Sequence, residues 1–163
     1  MIRKANQNDI KSIAQIIVNA WQTAYSGIVK ETYLKTIAKE KYIKIFTNNI
    51  TNQLEDIFVY CDANDNVLGF VSGKVAEDQI NTAEIVGFYI EPKYQNQKIG
   101  KQLFKHIINF NKNERNVDKV FLWTLKNAKN NEFYKKLNGK IQEEKKIEIG
   151  NIEYDGIKFV YNI

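Results

Sequence analysis

The chain of 163 residues has one cysteine, one histidine, one proline and two arginines. Each scarcity excludes something. A lone Cys61 rules out an intramolecular disulfide and any zinc site built on several cysteines. A lone His106 leaves no material for a His-based metal centre or a Ser-His-Asp triad, so no metal is expected. No run of ~18 apolar residues exists, so no membrane-spanning helix is expected. The opening MIRKANQNDI has no apolar stretch leading to a cleavage site. No secretory leader is therefore expected, and a cytoplasmic location is. Any chemistry must run on carboxylates, tyrosines, lysines, amides and backbone groups.

Apolar residues make up 44% of the chain, aromatic residues 12% and charged residues 26%. That is too apolar for disorder and fits one core, read as a single domain over 1–163. There is no internal repeat, no low-complexity tract and no linker-like stretch. The net charge is +5, but 22 of the 24 basic residues are lysine and only Arg3 and Arg115 are arginine. Readers of nucleic acid favour arginine for its planar fork. The lysine excess, with abundant Asn and Ile, reads as composition bias rather than a nucleic-acid surface. A local anionic ligand fits the same charge.

Apolar spacing predicts an amphipathic helix over 9–25, stopped at Gly27, and a second over 31–47. Asp56–Asp62 and Val67–Val75 read as a hairpin around Ala63–Asn66, and Ala83–Ile90 as a third strand closed by Pro92. A helix over 99–112, a strand over 118–125 and a helix over 127–137 come next. Strands over 140–149 and 152–162 close the chain around Gly150-Asn151, with a tight turn expected at Asp155-Gly156. The order β-α-α-β-β-β-α-β-α-β-β predicts an α/β domain with a mixed sheet.

The segment after the third strand is polar: Gln95, Asn96, Gln97 and Lys98, then Ile99, Gly100 and Lys101 as a helix begins. A helix start offers free N–H groups and partial positive charge. Amide and ammonium donors add to it, and Gly100 permits close approach. From these residues alone, a phosphate cradle and an ordinary polar connection both remain open.

The run Pro92–Leu103 resembles the acetyl-CoA-binding motif of the GNAT N-acetyltransferases, Gln/Arg-x-x-Gly-x-Gly/Ala. Gln95 and Gly100 match, while Lys98 stands where the first glycine is expected. The run Leu125–Gly139 resembles the family's Asn-x-x-Ala/Ser-x-x-Phe-Tyr-x-x-x-Gly segment. Asn127, Phe133 and Tyr134 match, Asn130 replaces the small residue, and Gly139 falls one place late. Trp21, Ala24, Tyr25 and Gly27 resemble a substrate-side helix of the same family. The element order covers 1–163. The resemblance implies the GNAT fold, a mixed, mostly antiparallel sheet of six to seven strands flanked by about four helices.

It also implies an N-acetyltransferase that moves acetyl directly from acetyl-CoA, a co-substrate, to a primary amine of a small molecule or peptide. Tyr134 sits where the family often places a general acid near the coenzyme sulfur; the alternative is packing beside Phe133. Glu84 has the spacing of a family base. Period-two alternation groups it with Val86, Phe88 and Ile90; the alternative is a solvated or ion-paired residue. Phe88, Tyr89 and Ile90 are expected to pair through their backbone with the pantetheine arm. Asn127 would bond that arm from the other side, and Asn130 and Phe133 lie in the same motif. Gln95 through Lys101 would surround the pyrophosphate, with Lys136 toward the adenosine or 3′-phosphate. Trp21 and Tyr25, four apart on one helix face, are either an acceptor-pocket wall or core. A catalytically silent acyl-CoA-binding regulatory domain is the alternative function, kept open by Lys98. A basic nucleic-acid module is a third reading. Dimers are common in the family, but no interface is legible.

Overall fold

Asn6 begins the first helical segment. In the computed structural model, which describes residues 1–163, its side chain accepts from the Asn8 N–H at 2.9 Å, and Asp9 reaches back to the Asn6 N–H at 2.8 Å. This reciprocal cap satisfies donors that a helix start leaves free. Arg3 clamps Asp9 with two bonds of 2.7 and 2.9 Å. After a 3-10 turn over Gln7–Asp9, α1 runs Ile10–Ala24, with Ile10, Ile13, Ile17 and Ala20 on a buried stripe.

The helix expected over 31–47 is two helices. α2 (Glu31–Leu34) is a single turn, and α3 (Lys39–Asn52) starts after an extended Ala38. The break reflects packing. Leu34 joins a small cluster with Tyr25 and Val29, whereas Phe46 of α3 packs with Ile13 and Ile17 under α1.

Seven strands form one sheet: β1 (Ile2–Lys4), β2 (Asp56–Cys61), β3 (Val67–Val75), β4 (Thr82–Ile90), β5 (Lys119–Leu125), β6 (Lys140–Ile149) and β7 (Ile152–Asn162). Their order is β1-β2-β3-β4-β5-β7-β6. Every neighbouring pair is antiparallel except β4–β5. α4 (Ile99–Glu114) makes the crossover between those two strands, and α5 (Asn131–Lys136) comes after β5. The α/β class holds, with seven strands and five helices. The α4 face carries the larger core, including Val71, Ile85, Leu103, Ile107 and Phe159. α1 and α3 cover the other face over Ile57, Val59 and Phe70.

Two expectations are corrected at the C-terminal end. The helix over 127–137 is confined to 131–136, because Asn131 turns the chain with its side chain. Its Nδ2 donates to the carbonyls of Leu125 and Lys126 at 2.9 and 2.8 Å. Asp155-Gly156 is not a turn but the middle of β7, where Gly156 pairs with Leu125 and Lys145. The Ile147 side chain occupies the place a Cβ on residue 156 would take. Glycine there is demanded by packing, not by a reversal of the chain.

Two features of β4 open a cleft in the sheet and set which side chains reach it. Its parallel ladder with β5 covers only Thr82–Glu84 against Lys119–Phe121. Beyond it β4 keeps β3 and β5 keeps β7, so a wedge opens in the sheet. The second feature is a bulge. Ser72 pairs with Gly87 and Gly73 with Ile85, leaving Val86 as an extra residue. A bulge reverses the alternation beyond it. Glu84 therefore shares its face with Lys74, Ser72, Gly87 and Tyr89, toward α1 and α3. Phe88 and Ile90 lie on the α4 face, so the grouping of Glu84 with them is corrected.

Candidate active site

The wedge has a backbone wall. The Glu91 N–H donates to the Leu68 carbonyl at 2.9 Å. Antiparallel alternation then commits the main-chain groups of Tyr89 and Gly87 to β3 and turns those of Phe88 and Ile90 toward the gap. Gln95 Nε2 donates to the Ile90 carbonyl at 3.3 Å, which ties the next loop to the strand end. The Phe88 and Ile90 N–H groups are left facing the wedge. Tyr89 enters the site through its phenol.

The loop after β4 opens α4. Asn96 and Lys98 both adopt left-handed backbone, at φ +63° and +64°. Lys98 is the residue before the helix, and no side chain caps it. The first-turn N–H groups are thus available to an anion. Asn96, Gln97, Lys98 and Lys101 stand exposed around them, while Ile99 is buried. The site of the missing motif glycine keeps the conformation a glycine would have. Gly100 has a different constraint: a Cβ there would approach Phe133 Cζ to 3.2 Å. Its bareness lets α4 close against α5.

Three tyrosines converge on the wedge from different elements. Tyr134 of α5 is 5% exposed, with its ring among Phe88, Phe133 and Phe159. Asn130 Nδ2 reaches its hydroxyl at 3.5 Å. Tyr25, at the end of α1, is buried with its ring 4.7 Å from that of Trp21. The Trp21 indole N–H donates to the Tyr89 hydroxyl at 3.2 Å. Burial raises all three phenols, Tyr25 to about 12 and Tyr89 and Tyr134 above the ordinary tyrosine range. Each also feels another: Tyr25 feels Tyr134, Tyr89 feels Tyr25, and Tyr134 feels Tyr89. All three are proton-bearing hydroxyls at neutral pH.

Glu84 lies apart from this group, at the closed end of the wedge. Tyr134 packs beside Phe88, four residues farther along β4, on the order of 10–13 Å at strand rise. Glu84 is half-buried and has no ion-pair partner within 4.0 Å. Burial raises its carboxyl, opposed by Lys74, Lys145 and Lys158 and reinforced by Glu55. Asn127 is exposed and lines a cavity of about 300 Å³ with Gly27, Ile28, Leu125 and the β6–β7 residues Lys146, Glu153, Tyr154 and Asp155. Lys136 is exposed on α5.

Thr124 carries no motif signal in the sequence. It is buried on β5 beside Tyr25, near enough for its hydroxyl to lower that phenol against the effect of burial, but its Oγ1 makes no bond within hydrogen-bond distance. Alternation could have found it: Thr124 is the one polar member of the Val120, Leu122, Thr124 series. Asn130 Oδ1 is likewise buried and unpartnered. Orphaned buried polar atoms in a cleft call for a polar ligand or water. With the uncapped start of α4, they fit a ligand that carries both amides and phosphates, as coenzyme A does.

The family model described as Acetyltransferase (GNAT) family matches residues 15–139. The spermidine N(1)-acetyltransferase of Thermoplasma acidophilum is 30% identical over 106 residues, 63% of this chain and 64% of that protein. The match thus spans just under two thirds of that relative's length. YuaI of Bacillus subtilis, an uncharacterized N-acetyltransferase, is 25% identical over 153 residues, 93% of this chain and 86% of its own. Among solved structures, the PaiA N-acetyltransferase of Thermoplasma acidophilum in complex with coenzyme A superposes with a TM-score of 0.76 at 22% identity, covering 99% and 98% of the two chains. A GCN5-related N-acetyltransferase from Rhodopseudomonas palustris gives 0.80 at 14% identity, covering 100% and 95%. These two likenesses are of fold.

Proposed function

This chain belongs to the acetyltransferase (GNAT) family, and from that premise we propose that it transfers acetyl directly from acetyl-CoA to a primary amine of a small molecule or peptide. The observation that carries the reading is the wedge, where the Phe88 and Ile90 N–H groups face a gap that begins beside an uncapped helix start. Acetyl-CoA, when bound, supplies an activated acyl thioester. The α4 first-turn N–H groups, with Asn96, Gln97, Lys98 and Lys101, hold its pyrophosphate. Gln95 fixes the loop that presents them. Lys136 lies toward the adenosine end, and Asn127, Asn130 and Thr124 take the amides of the arm. Phe133 packs the cleft floor against Gly100.

The wedge N–H groups donate to a carbonyl oxygen that gains charge as the reaction proceeds. Tyr134 holds its proton near the departing sulfur. Glu84 accepts the proton that an alkylammonium, with pKa near ~10, must lose before it can attack. Trp21, Tyr25 and Tyr89 wall the acceptor side. The left-handed backbone at Lys98 supports coenzyme binding, since the departure from glycine keeps the loop geometry.

The test is free-thiol release from acetyl-CoA against polyamines, amino acids, aminoglycosides and short peptides. Polyamines come first, given the spermidine acetyltransferase among the relatives. Release with one amine class supports the reading. Coenzyme binding without release from any amine would favour the silent domain.

A further inference from the structure

Lys146 of β6 places its ammonium 2.6 Å from Asp155 Oδ1 on β7. The two residues are cross-strand partners, and the next pair on the same face is Glu148 with Glu153. Like charges directly opposite each other weaken a sheet. Neither Glu148 nor Glu153 has an ion-pair partner within 4.0 Å. The nearby ammonium of Lys126 is taken by Glu144, with bonds of 3.1 and 2.8 Å. One lysine thus stands among three carboxylates. Asp155 through its hydrogen bond, and then Glu153 through space, raise the Lys146 ammonium above the ordinary lysine value, so it keeps its charge.

Lys146, Glu153 and Asp155 line the cavity of about 300 Å³ beside Leu125 and Asn127. Leu125 is the last residue of β5, so the cavity adjoins the wide end of the wedge. Its walls are tied together. The Tyr154 hydroxyl accepts from the Lys30 N–H at 3.2 Å, which joins the hairpin to the segment after α1. The Tyr33 ring lies where a Cβ on residue 150 would stand. A formed cavity therefore already holds a primary alkylammonium among carboxylates. The Lys146 and Asp155 side chains are 58% and 60% exposed, and ion pairs so placed are weak enough to exchange.

We propose that Glu153 and Asp155 set acceptor specificity by holding a second ammonium of the acceptor, and that Lys146 occupies their site until it arrives. This rests on the acetyltransferase reading above. The acceptor is then a small aliphatic diamine or polyamine. One nitrogen reacts in the wedge as free amine, and the other stays protonated in the cavity. An alkylamine with one nitrogen gains nothing from the cavity. An amino acid brings a carboxylate to a place with an excess of them, which counts against it.

The test measures kcat/KM by thiol release at pH 8. The acceptors are α,ω-diamines of three to eight carbons, alkylamines of the same lengths, the matching ω-amino acids and short basic peptides. The proteins are the intact wild-type chain, Glu153→Gln, Asp155→Asn and Lys146→Gln. At least one diamine should be used about five- to ten-fold better than its matched alkylamine, the scale of two partly exposed ion pairs. Added salt should shrink that ratio. Glu153→Gln and Asp155→Asn should each lower it about three-fold, with no change in the acetyl-CoA KM. Lys146→Gln should lower the diamine KM, because an internal competitor is gone. A merely structural role would change diamine and alkylamine alike. Equal use of the two amines overturns the specificity assignment and leaves the acetyltransferase reading standing. So does a ratio that survives both carboxylate variants, or a preference for ω-amino acids or peptides. A higher diamine KM in Lys146→Gln overturns the displacement of Lys146. Absence of wild-type turnover with every amine overturns both readings.

Discussion

The Trp21 indole N–H and the Tyr89 phenol oxygen meet at 3.2 Å across 68 residues of sequence, joining α1 to β4 at the wedge. One hydrogen bond of this kind is worth about 0.5–1.5 kcal/mol. Trp21→Phe should therefore raise the KM for the amine by about three- to ten-fold and leave acetyl-CoA binding unchanged. Steady-state kinetics with each substrate varied in turn checks this. An equal rise in both KM values would assign Trp21 to packing alone.

Tyr134→Phe should lower kcat by about ten-fold or more without changing coenzyme affinity. The pH dependence carries a sign. Burial raises this phenol, so it keeps its proton to higher pH than a free tyrosine. Wild-type kcat should consequently show no alkaline fall up to pH 10. A wild-type decline centred well below that value would assign the acid role to another group, as would full activity in the variant.

Lys98 holds a left-handed backbone at φ +64°. That conformation costs a non-glycine residue about 1 kcal/mol. Lys98→Gly should raise the melting temperature by about 2–4 °C for a chain of this size. It should also weaken coenzyme A binding at low salt and much less at high salt, since an exposed cation is lost. Calorimetric melts and titrations at two ionic strengths measure the two effects separately. A lower melting temperature would mean the lysine side chain stabilises the loop.

Asp9 is almost fully buried against Arg3. Desolvation pushes its carboxyl up, but the Arg3 guanidinium and the Asn6 N–H outweigh it, and the net effect is downward. A lowered carboxyl stabilises the fold at pH above its unfolded value, near ~3.9, and that contribution is lost as pH falls through the folded value. Asp9→Asn should cost about 2 kcal/mol at pH 7, the scale of hydrogen bonds to a charged group. The deficit should shrink below pH 4. Denaturant melts at pH 7 and pH 3 check both halves.

Much of the fold was legible because its period was clean. Ile10, Ile13 and Ile17 announce α1, and β2 and β3 read as a hairpin. What escaped was set by distant partners. Nothing local at Thr36–Ala38 ends a helix; the break exists because Leu34 and Phe46 serve different cores. Asp155-Gly156 has turn chemistry, yet Ile147 needs that glycine inside a strand. For the site, motif spacing brought out Tyr134, Gly100 and the loop after β4. Period-two alternation along this strand gives no sign that Val86 is an extra residue that carries Glu84 to the opposite face. Thr124 falls in no motif. It draws notice only once burial leaves its hydroxyl unpartnered.

The short β4–β5 seam has a thermodynamic consequence. Three register pairs join a half-sheet of β1–β4 to one of β5, β7 and β6. A molecule seated in the gap would act as a missing strand and count toward folding as much as toward catalysis. At a hundred times its dissociation constant it would add about 2.7 kcal/mol of stability. A chain with so narrow a seam would owe part of its cellular lifetime to the level of its own co-substrate.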